Sequence, residues 1–177
     1  MNGVQLVATA DLSPSLLTGV QAVLADAFGH PLSTEDWDHA LGGIHALAWA
    51  DGDLVGHASM VARRLLHGGR ALRTGYVEAV AVRRSHRRQG YAAAMMTELE
   101  RLIGGGYDLG ALCSSRQGHL LYIGRTWRLW DGPLWALTPH GVVRTPDEDG
   151  HVFVLPGSVP LDRSGPLTAD WRDGDVW

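Results

Sequence analysis

Lysine is absent from this 177-residue chain, and its fifteen basic residues are all arginine. Catalysis through a lysine Schiff base and phosphate binding by a P-loop lysine are therefore both excluded. A single cysteine, Cys113, excludes an internal disulfide and a zinc site built on cysteines. The nine histidines do not fall in the H-E-x-x-H spacing or a comparable one, so we expect no metal site.

Long apolar runs are also missing, since nothing in the sequence approaches the roughly 18 consecutive apolar residues that a membrane helix needs. The first residues lack the charged and apolar segments of a signal peptide. With a formal net charge of -4, the chain is a poor candidate for binding nucleic acid. We therefore expect one cytoplasmic domain that spans residues 1–177 and does not enter a membrane.

Hydrophobic periodicity predicts a mixed α+β domain. A first helix is expected to be capped by Asp11 and stopped by Pro31, and a short second helix to be capped by Ser33. A long helix is predicted to start at Tyr91 and to end at the glycines 104–106. The predicted strands occupy residues 4–8, 44–50, 54–66, 71–82, 109–113, 127–137 and 152–155.

An apolar strand at residues 77–82 leads through an arginine-rich turn into the long helix. The turn itself is Arg87-Arg88-Gln89-Gly90-Tyr91-Ala92, and two further arginines, at 83 and 84, add positive charge. A helix N-terminus favours anions because it presents unpaired N–H groups and the positive end of the helix dipole. Gly90 allows close approach of a ligand, and Ala92 is too small to block it. Taken alone, these residues also fit a solvated turn, so the strand–turn–helix context carries the prediction of a phosphate site.

This segment resembles the R/Q-x-x-G-x-G/A signature of the GNAT acyltransferases. The resemblance implies an α/β sandwich of the α+β class, in which a central mixed, mostly antiparallel sheet splays into a V and is flanked by helices. It also implies acetyl-coenzyme A as the co-substrate, with its pyrophosphate held by backbone amides of the turn. Val80, Ala81 and Val82 would then pair with the pantetheine arm like an added strand.

Further segments, spread over nearly the full length, resemble a narrower family, the aminoglycoside 2′-N-acetyltransferases. They are DW at 36–37, GGIHAL at 42–47, GYVE at 75–78, YDLGAL at 107–112, RTPD at 144–147, VFVLP at 152–156 and DWRDGDVW at 170–177. The resemblance implies acetyl transfer to the 2′-amine of aminoglycosides, which is an activity of the antibiotic-resistance type. It also implies a homodimer.

The same resemblance assigns the contacts with the aminoglycoside. The residues are Asp36, Glu78, Ala79, Cys113, Asp147, Glu148 and, through its C-terminal carboxylate, Trp177. Acidic side chains suit a polycation because they concentrate cations, although acids in turns are equally typical of a solubilising surface and a terminal residue is commonly frayed. The chain departs from the family at Cys113, often Ser, at Glu148, often Asp, and at Pro31, where the family can carry a substrate-binding Asp. We expect these departures to affect the range of drugs.

Acetyl transfer needs a neutral amine, because an ammonium has no lone pair with which to attack a thioester. Glu78 is the expected base, acting through water, and the alternative is that it only binds the ammonium. Tyr122 lies in a segment resembling the GNAT L-Y-x-x-x-G-F motif, which implies an acid for the coenzyme A thiolate; the alternative is a packing tyrosine. The N–H of Val80 is expected to stabilise the charge on the thioester oxygen. We expect direct attack rather than an acyl-enzyme on Cys113, since the sequence offers that thiol no identifiable base.

Two other functions are compatible with these residues. The acceptor can be another amine, such as a cell-wall amino sugar, a polyamine or a protein amine, or the domain can bind coenzyme A or drug without turnover. Glu78 and Tyr122 together favour an enzyme over a binding module.

Overall fold

Two long strands, β3 (Asp53–His67) and β4 (Arg70–Val82), are joined by a turn at Gly68 and Gly69. Both glycines have positive φ angles, 56° and 75°, which glycine adopts readily because it lacks a Cβ. The computed structural model describes residues 3–177 and contains two compact units. The first comprises the chain up to Val61 together with residues 77–101, and the second comprises residues 62–76 and 102–177. Both long strands therefore contribute to each unit.

The first unit is built on strands in the order β1-β2-β3-β4, in which β1 is Gly3–Ala8 and β2 is Ile44–Ala50. The β1/β2 and β2/β3 pairs are antiparallel, with Ile44 opposite both Ala8 and Met60. Helices α1 (Pro14–Phe28) and α2 (Thr34–His39) connect β1 to β2. The strands of the antiparallel meander were thus predicted correctly.

Helix α1 begins later than predicted. Ser13 is its N-cap, and the Ser13 hydroxyl accepts a hydrogen bond from the Leu16 N–H at 3.2 Å, whereas Asp11 lies in a preceding 3-10 turn. Pro14 explains the shift, because its fixed φ and missing N–H suit the first position of a helix. The prediction of Asp11 as the cap was therefore wrong.

Helix α1 also ends before Pro31. Gly29, with φ of 87°, is the C-cap, so a left-handed glycine rather than the proline terminates the helix. For α2 the predicted cap is confirmed, since the Ser33 hydroxyl accepts from the Asp36 N–H at 3.0 Å.

Helices pack on both faces of the strands of the first unit. On one face, Val20 and Leu24 of α1 are buried in a cluster with Leu47 of β2. On the other face, a Cβ built on Gly56 of β3 would lie 3.0 Å from Cε of Met95, a residue of α3 (Tyr91–Gly106). Each fully buried aliphatic side chain contributes roughly 1.5–3 kcal/mol, so this packing fixes β3 and β4 between two layers.

The second unit contains one short helix, α4 (His119–Ile123), and the remaining strands of the described chain. These strands are β5 (Leu109–Cys113), β6 (Arg128–Leu129), β7 (Leu134–Thr138), β8 (Gly141–Arg144), β9 (Val152–Pro156) and β10 (Leu167–Ala169). Their order, with the two long strands, is β6-β9-β5-β4-β3-β10-β7-β8. The β4/β5 and β7/β10 pairs are parallel, and α3 provides the crossover that the first of these requires.

The predicted class is confirmed as α+β with a mixed, mostly antiparallel sheet and flanking helices. The single strand predicted at 127–137 was wrong, because residues 130–133 separate β6 from β7. Helix α3 was also predicted too short, since it continues through all three glycines to Gly106. Within residues 3–177, no helix combines the length and apolar character needed to cross a membrane. One domain over residues 1–177 stays a prediction.

Candidate functional site

The predicted cofactor strand is the last part of β4, Val80–Val82, and an unusual residue precedes it. Ala79 has φ of 50°, a conformation that crowds the Cβ of a non-glycine residue. The Ala79 carbonyl accepts a hydrogen bond from Nδ1 of His57, a fully buried residue of β3, at 3.0 Å. Irregularities of this kind redirect neighbouring side chains and backbone groups and are frequent beside active sites. The two residues that flank it are Glu78, which is half-buried, and Val80.

After β4, the chain turns sharply into α3. The Arg83 N–H donates to the Val55 carbonyl at 2.8 Å, and a 3-10 turn follows over residues 84–86. Arg88 and Gly90 then have positive φ angles of 61° and 87°, and the first helical hydrogen bond runs from the Ala94 N–H to the Gly90 carbonyl at 2.9 Å. The amides at the start of α3 therefore precede the helical hydrogen-bond ladder and are available to an anion.

The C-terminal end of α1 holds this turn in place. The Arg84 N–H donates to Oδ2 of Asp26 at 2.7 Å, and Nη2 of Arg87 donates to the Ala27 carbonyl at 2.6 Å. The Arg83 guanidinium donates in turn to the Leu54 carbonyl at 2.9 Å. The guanidinium groups of Arg83 and Arg87, which were expected to supply positive charge, thus also fasten the turn to its neighbours.

The predicted substrate residue Asp36 lies in the first turn of α2, with an exposed side chain. The next residue, Trp37, lines an open cavity of about 410 Å³ together with α1 and the segment leading into α2. Its lining is mostly apolar and includes Leu24, Pro31 and Trp37. Pro31, one of the three departures from the family pattern, therefore lines a cavity next to Asp36, a residue predicted to bind the aminoglycoside.

A second group of predicted residues lies in the second unit. The Cys113 thiol, at the end of β5, donates to Oε2 of Glu148 at 3.3 Å. Glu148 ends a 3-10 turn at residues 146–148, which also carries Asp147, an exposed side chain. Two residues at which this chain departs from the family pattern therefore contact one another.

Trp177 is packed against the rest of the second unit and is not a frayed terminal residue. Its side chain is buried, its indole N–H donates to Oγ1 of Thr145 at 2.9 Å, and its backbone N–H donates to Oδ1 of Asp175 at 3.2 Å. Arg63 secures the same segment, because its guanidinium donates to the Val176 carbonyl at 2.8 Å and to Oδ1 of Asp170 at 2.8 Å. The 145–148 turn thus contacts both Trp177 and Cys113.

Tyr122 is buried on α4, with its ring packed near those of Trp127 and Phe153 at centroid distances of 6.1 and 5.8 Å. Burial raises the pKa of Tyr122 well above its ordinary value, and the electrostatic interaction with nearby Cys113 acts in the same direction. The phenol therefore keeps its proton at neutral pH and can donate it.

Most of the predicted residues thus form two local groups, and Asp36 on α2 belongs to neither. Glu78 to Ala92 follow one another through the first unit, whereas Cys113, Glu148 and Trp177 converge from separate segments of the second. Sequence reasoning missed His57 and Arg63, because their partners lie 22 and more than 100 residues away and leave no local pattern. Across the described chain, no group of three or more metal-ligating side chains is arranged to hold a metal ion.

Comparison with known proteins gives three findings. A family model described as an acetyltransferase (GNAT) domain matches residues 9–118. The aminoglycoside 2′-N-acetyltransferase of Mycolicibacterium fortuitum is 47% identical over 177 residues, which cover 98% of this chain and 91% of that protein. The ribosomal-protein-S18-alanine N-acetyltransferase of Escherichia coli has a similar structure, with a TM-score of 0.56 at 17% identity over 90% of this chain and 97% of that one.

Some structural relatives are much longer. A GCN5-related N-acetyltransferase from Kribbella flavida matches with a TM-score of 0.59 at 22% identity, over 75% of this chain. This chain spans only 34% of the length of that protein. Structural relatives at these identities establish the fold alone.

Proposed function

Because the chain belongs to the aminoglycoside 2′-N-acetyltransferases of the GNAT superfamily, we propose that it transfers the acetyl group of acetyl-coenzyme A to the 2′-amine of aminoglycosides. The observation that carries this proposal is 47% identity over 98% of the chain.

The cofactor residues fit a pyrophosphate. Gly90 holds a positive φ, and a Cβ built on it would meet no atom within 4 Å, so the space over the turn is open. We assign Arg87, Arg88, Gln89, Gly90, Tyr91 and Ala92 to the pyrophosphate, with the backbone amides at the start of α3 as donors, and the backbone of Val80, Ala81 and Val82 to the pantetheine arm. Bound acetyl-coenzyme A supplies the activated thioester.

Glu78 acts as the general base. The acceptor amine loses a proton to Glu78 through a water molecule and forms a C–N bond with the acetyl carbon as the C–S bond breaks. The Val80 N–H stabilises the charge that develops on the thioester oxygen. The strained Ala79 between these two residues supports the assignment, since strain of this kind is concentrated at functional sites.

Tyr122 donates its proton to the departing coenzyme A thiolate. Its raised pKa keeps the phenol protonated at neutral pH, so the O–H group is present to meet the thiolate. Tyr122 then regains a proton from solvent, and Glu78 releases its own, so the products are the amide and the free thiol.

Carboxylates bind the cationic acceptor. We assign this role to Asp36, Glu78, Asp147 and Glu148, with further contacts from Ala79, Cys113 and Trp177. The Cys113–Glu148 contact supports placing these two residues at one position of the acceptor. A cytoplasmic location and a homodimer complete the proposal.

The decisive experiment measures thiol release from acetyl-coenzyme A with pairs of aminoglycosides that differ only at the 2′ substituent. We expect thiol release with the aminoglycoside that carries a 2′-amine, and no thiol release with its 2′-hydroxyl counterpart. Glu78→Gln and Tyr122→Phe should both lower kcat, with acetyl-coenzyme A binding retained. Release that does not depend on the 2′ substituent would overturn the assigned position, and release only with polyamines or amino sugars would overturn the acceptor class.

A further inference from the structure

A buried line of hydrogen bonds ends at the unusual residue of β4. Oγ1 of Thr9 lies 2.8 Å from Nε2 of His45, and Nδ1 of His45 lies 2.9 Å from Nε2 of His57. Nδ1 of His57 lies 3.0 Å from the Ala79 carbonyl oxygen. Both histidines are completely buried, on β2 and β3. We call this line the Thr9–His45–His57 relay.

The direction of every hydrogen bond in the relay is fixed by its ends. A carbonyl oxygen only accepts, so His57 must carry its proton on Nδ1 and, when neutral, accept at Nε2. His45 must then donate from Nδ1 and accept at Nε2, where the Thr9 hydroxyl is the donor.

The other end of the relay agrees with this direction. The Thr9 oxygen accepts from the N–H groups of Gly42 and Gly43, at 2.9 and 3.1 Å. Its own proton has two acceptors within reach, the Gly43 carbonyl at 3.3 Å and Nε2 of His45 at 2.8 Å, and the shorter distance assigns it to His45. Each member of the relay thus has a partner for the group it presents. A network with one consistent direction is rigid, because reversing one bond requires reversing them all.

Both histidines are held neutral. Burial lowers the pKa of His57 to about 3, with repulsion from His45 as a smaller cause and the bond to Ala79 as an opposing one. Burial also lowers the pKa of His45. The relay therefore keeps one protonation pattern throughout the neutral pH range.

The relay ends at a position where the backbone needs support. A left-handed alanine is strained and persists only if its surroundings fix it. The residue before it is the proposed base, Glu78, and the residue after it is Val80, the proposed oxyanion donor. A rotation of the peptide at Ala79 would therefore move both.

We propose that the Thr9–His45–His57 relay is a positioning device for catalysis, which holds the Ala79 carbonyl and thereby aims the Glu78 side chain and the Val80 N–H. This inference rests on the proposed function for the roles of Glu78 and Val80. The relay itself is a property of the first unit and can be tested without turnover.

The kinetic test compares two replacements at the central residue. His57→Gln keeps a donor for Ala79 and an acceptor for His45, whereas His57→Leu keeps the size but has neither. We expect His57→Gln to retain kcat within about threefold and His57→Leu to lose about 10- to 100-fold, a loss typical of a misplaced catalytic group. The KM for acetyl-coenzyme A should change by less than about threefold in both variants. The reason is that the phosphate turn, the proposed pyrophosphate-binding segment at residues 83–92, is held separately by hydrogen bonds to Asp26 and Ala27.

A matched pair at the far end extends the test. Thr9→Ser keeps the hydroxyl donor and should retain kcat, whereas Thr9→Val should lower kcat in the same sense as His57→Leu. All four variants are first compared by circular dichroism and by calorimetric acetyl-coenzyme A binding, and only folded variants that bind are scored. Equal kcat in His57→Leu and His57→Gln, whether both high or both low, would overturn the proposal.

A spectroscopic arm separates failure of the relay from failure of the proposed function. In ¹⁵N-labelled wild-type protein at pH 7, both buried histidines should give the signature of the neutral tautomer protonated at Nδ1. His57→Leu should lose one of these signals and disturb the other. Protonation at Nε2 would overturn the relay even if the enzyme is active. The Nδ1 pattern in a protein that acetylates no amine would leave the relay intact and overturn the proposed function instead.

Discussion

Acidification should destabilise this protein through the buried ring of His57. The pKa of His57 falls from an ordinary 6.5 to about 3 in the folded protein, chiefly because burial excludes the charged ring from water. Between pH 6.5 and about 3, His57 is protonated in the unfolded chain but neutral in the folded protein. The free energy of unfolding must therefore decrease as the pH is lowered through this window.

The size of the effect follows from the shift. At pH 5 the solution is 1.5 units below the ordinary pKa of 6.5 and still above the folded value. At roughly 1.36 kcal/mol per unit, the loss of stability from His57 is about 2 kcal/mol relative to neutral pH. His45 acts in the same direction, since burial lowers its pKa as well.

The assay is urea unfolding of wild type and His57→Gln at pH 7.5 and at pH 5, with thermal unfolding as a second measure. The comparison uses the change with pH in each protein, so a different starting stability of the variant cancels. Wild type should lose about 2 kcal/mol more than the variant, or about 4–8 °C in Tm for a chain of this size. Asp108, Asp149 and Asp162 have lowered pKa values and stay ionised at pH 5 in both proteins. An equal loss in the two proteins would refute the reasoning.

Four further predictions concern single side chains. Gly90→Ala should raise the KM for acetyl-coenzyme A about fivefold in thiol-release kinetics, because a positive φ costs alanine about 1 kcal/mol. Asp26→Ala should raise the same KM about three- to tenfold by removing a hydrogen bond that holds the phosphate turn. Gly43→Ala should lower the free energy of unfolding by about 1–3 kcal/mol, since its Cβ would overlap a neighbouring backbone, whereas Gly104→Ala, in an open helical position, should raise it by about 0.5–1 kcal/mol in the same urea titration. Cys113→Ala should keep kcat within about tenfold if the amine attacks directly, and a loss of several orders of magnitude would instead indicate an acyl-enzyme.

Features that depend on neighbouring residues were predictable from the sequence. The phosphate turn is one continuous segment, in which a strand, a left-handed glycine and a helix start follow one another. Its structure could therefore be predicted from the local sequence. Even so, local signals competed at the start of α1, where Pro14 makes Ser13 a better cap than Asp11. The glycines at the end of α3 mark a weak helix, yet they did not end it, because propensity is a weak prior beside packing.

Features assembled from distant segments were not predictable. Arg63 holds Asp170 and the Val176 carbonyl across more than 100 residues, and nothing near Arg63 in the sequence indicates that bond. The left-handed conformation of Ala79 is equally hidden, since alanine is not a residue that signals positive φ. Only the fold brings His57 to the Ala79 carbonyl.

The two groups of proposed site residues differ in how they are assembled, and this difference bears on how the specificity for the acceptor can change. The proposed cofactor residues lie in one continuous segment whose supports, Asp26 and Ala27, belong to the same unit. The acceptor residues of the second unit come from separate segments that meet at the 145–148 turn. A substitution at Cys113 or Glu148 therefore alters contacts that the phosphate turn does not share. We therefore expect the departures from the family at these two positions to change the choice of aminoglycoside and to leave the KM for acetyl-coenzyme A unchanged.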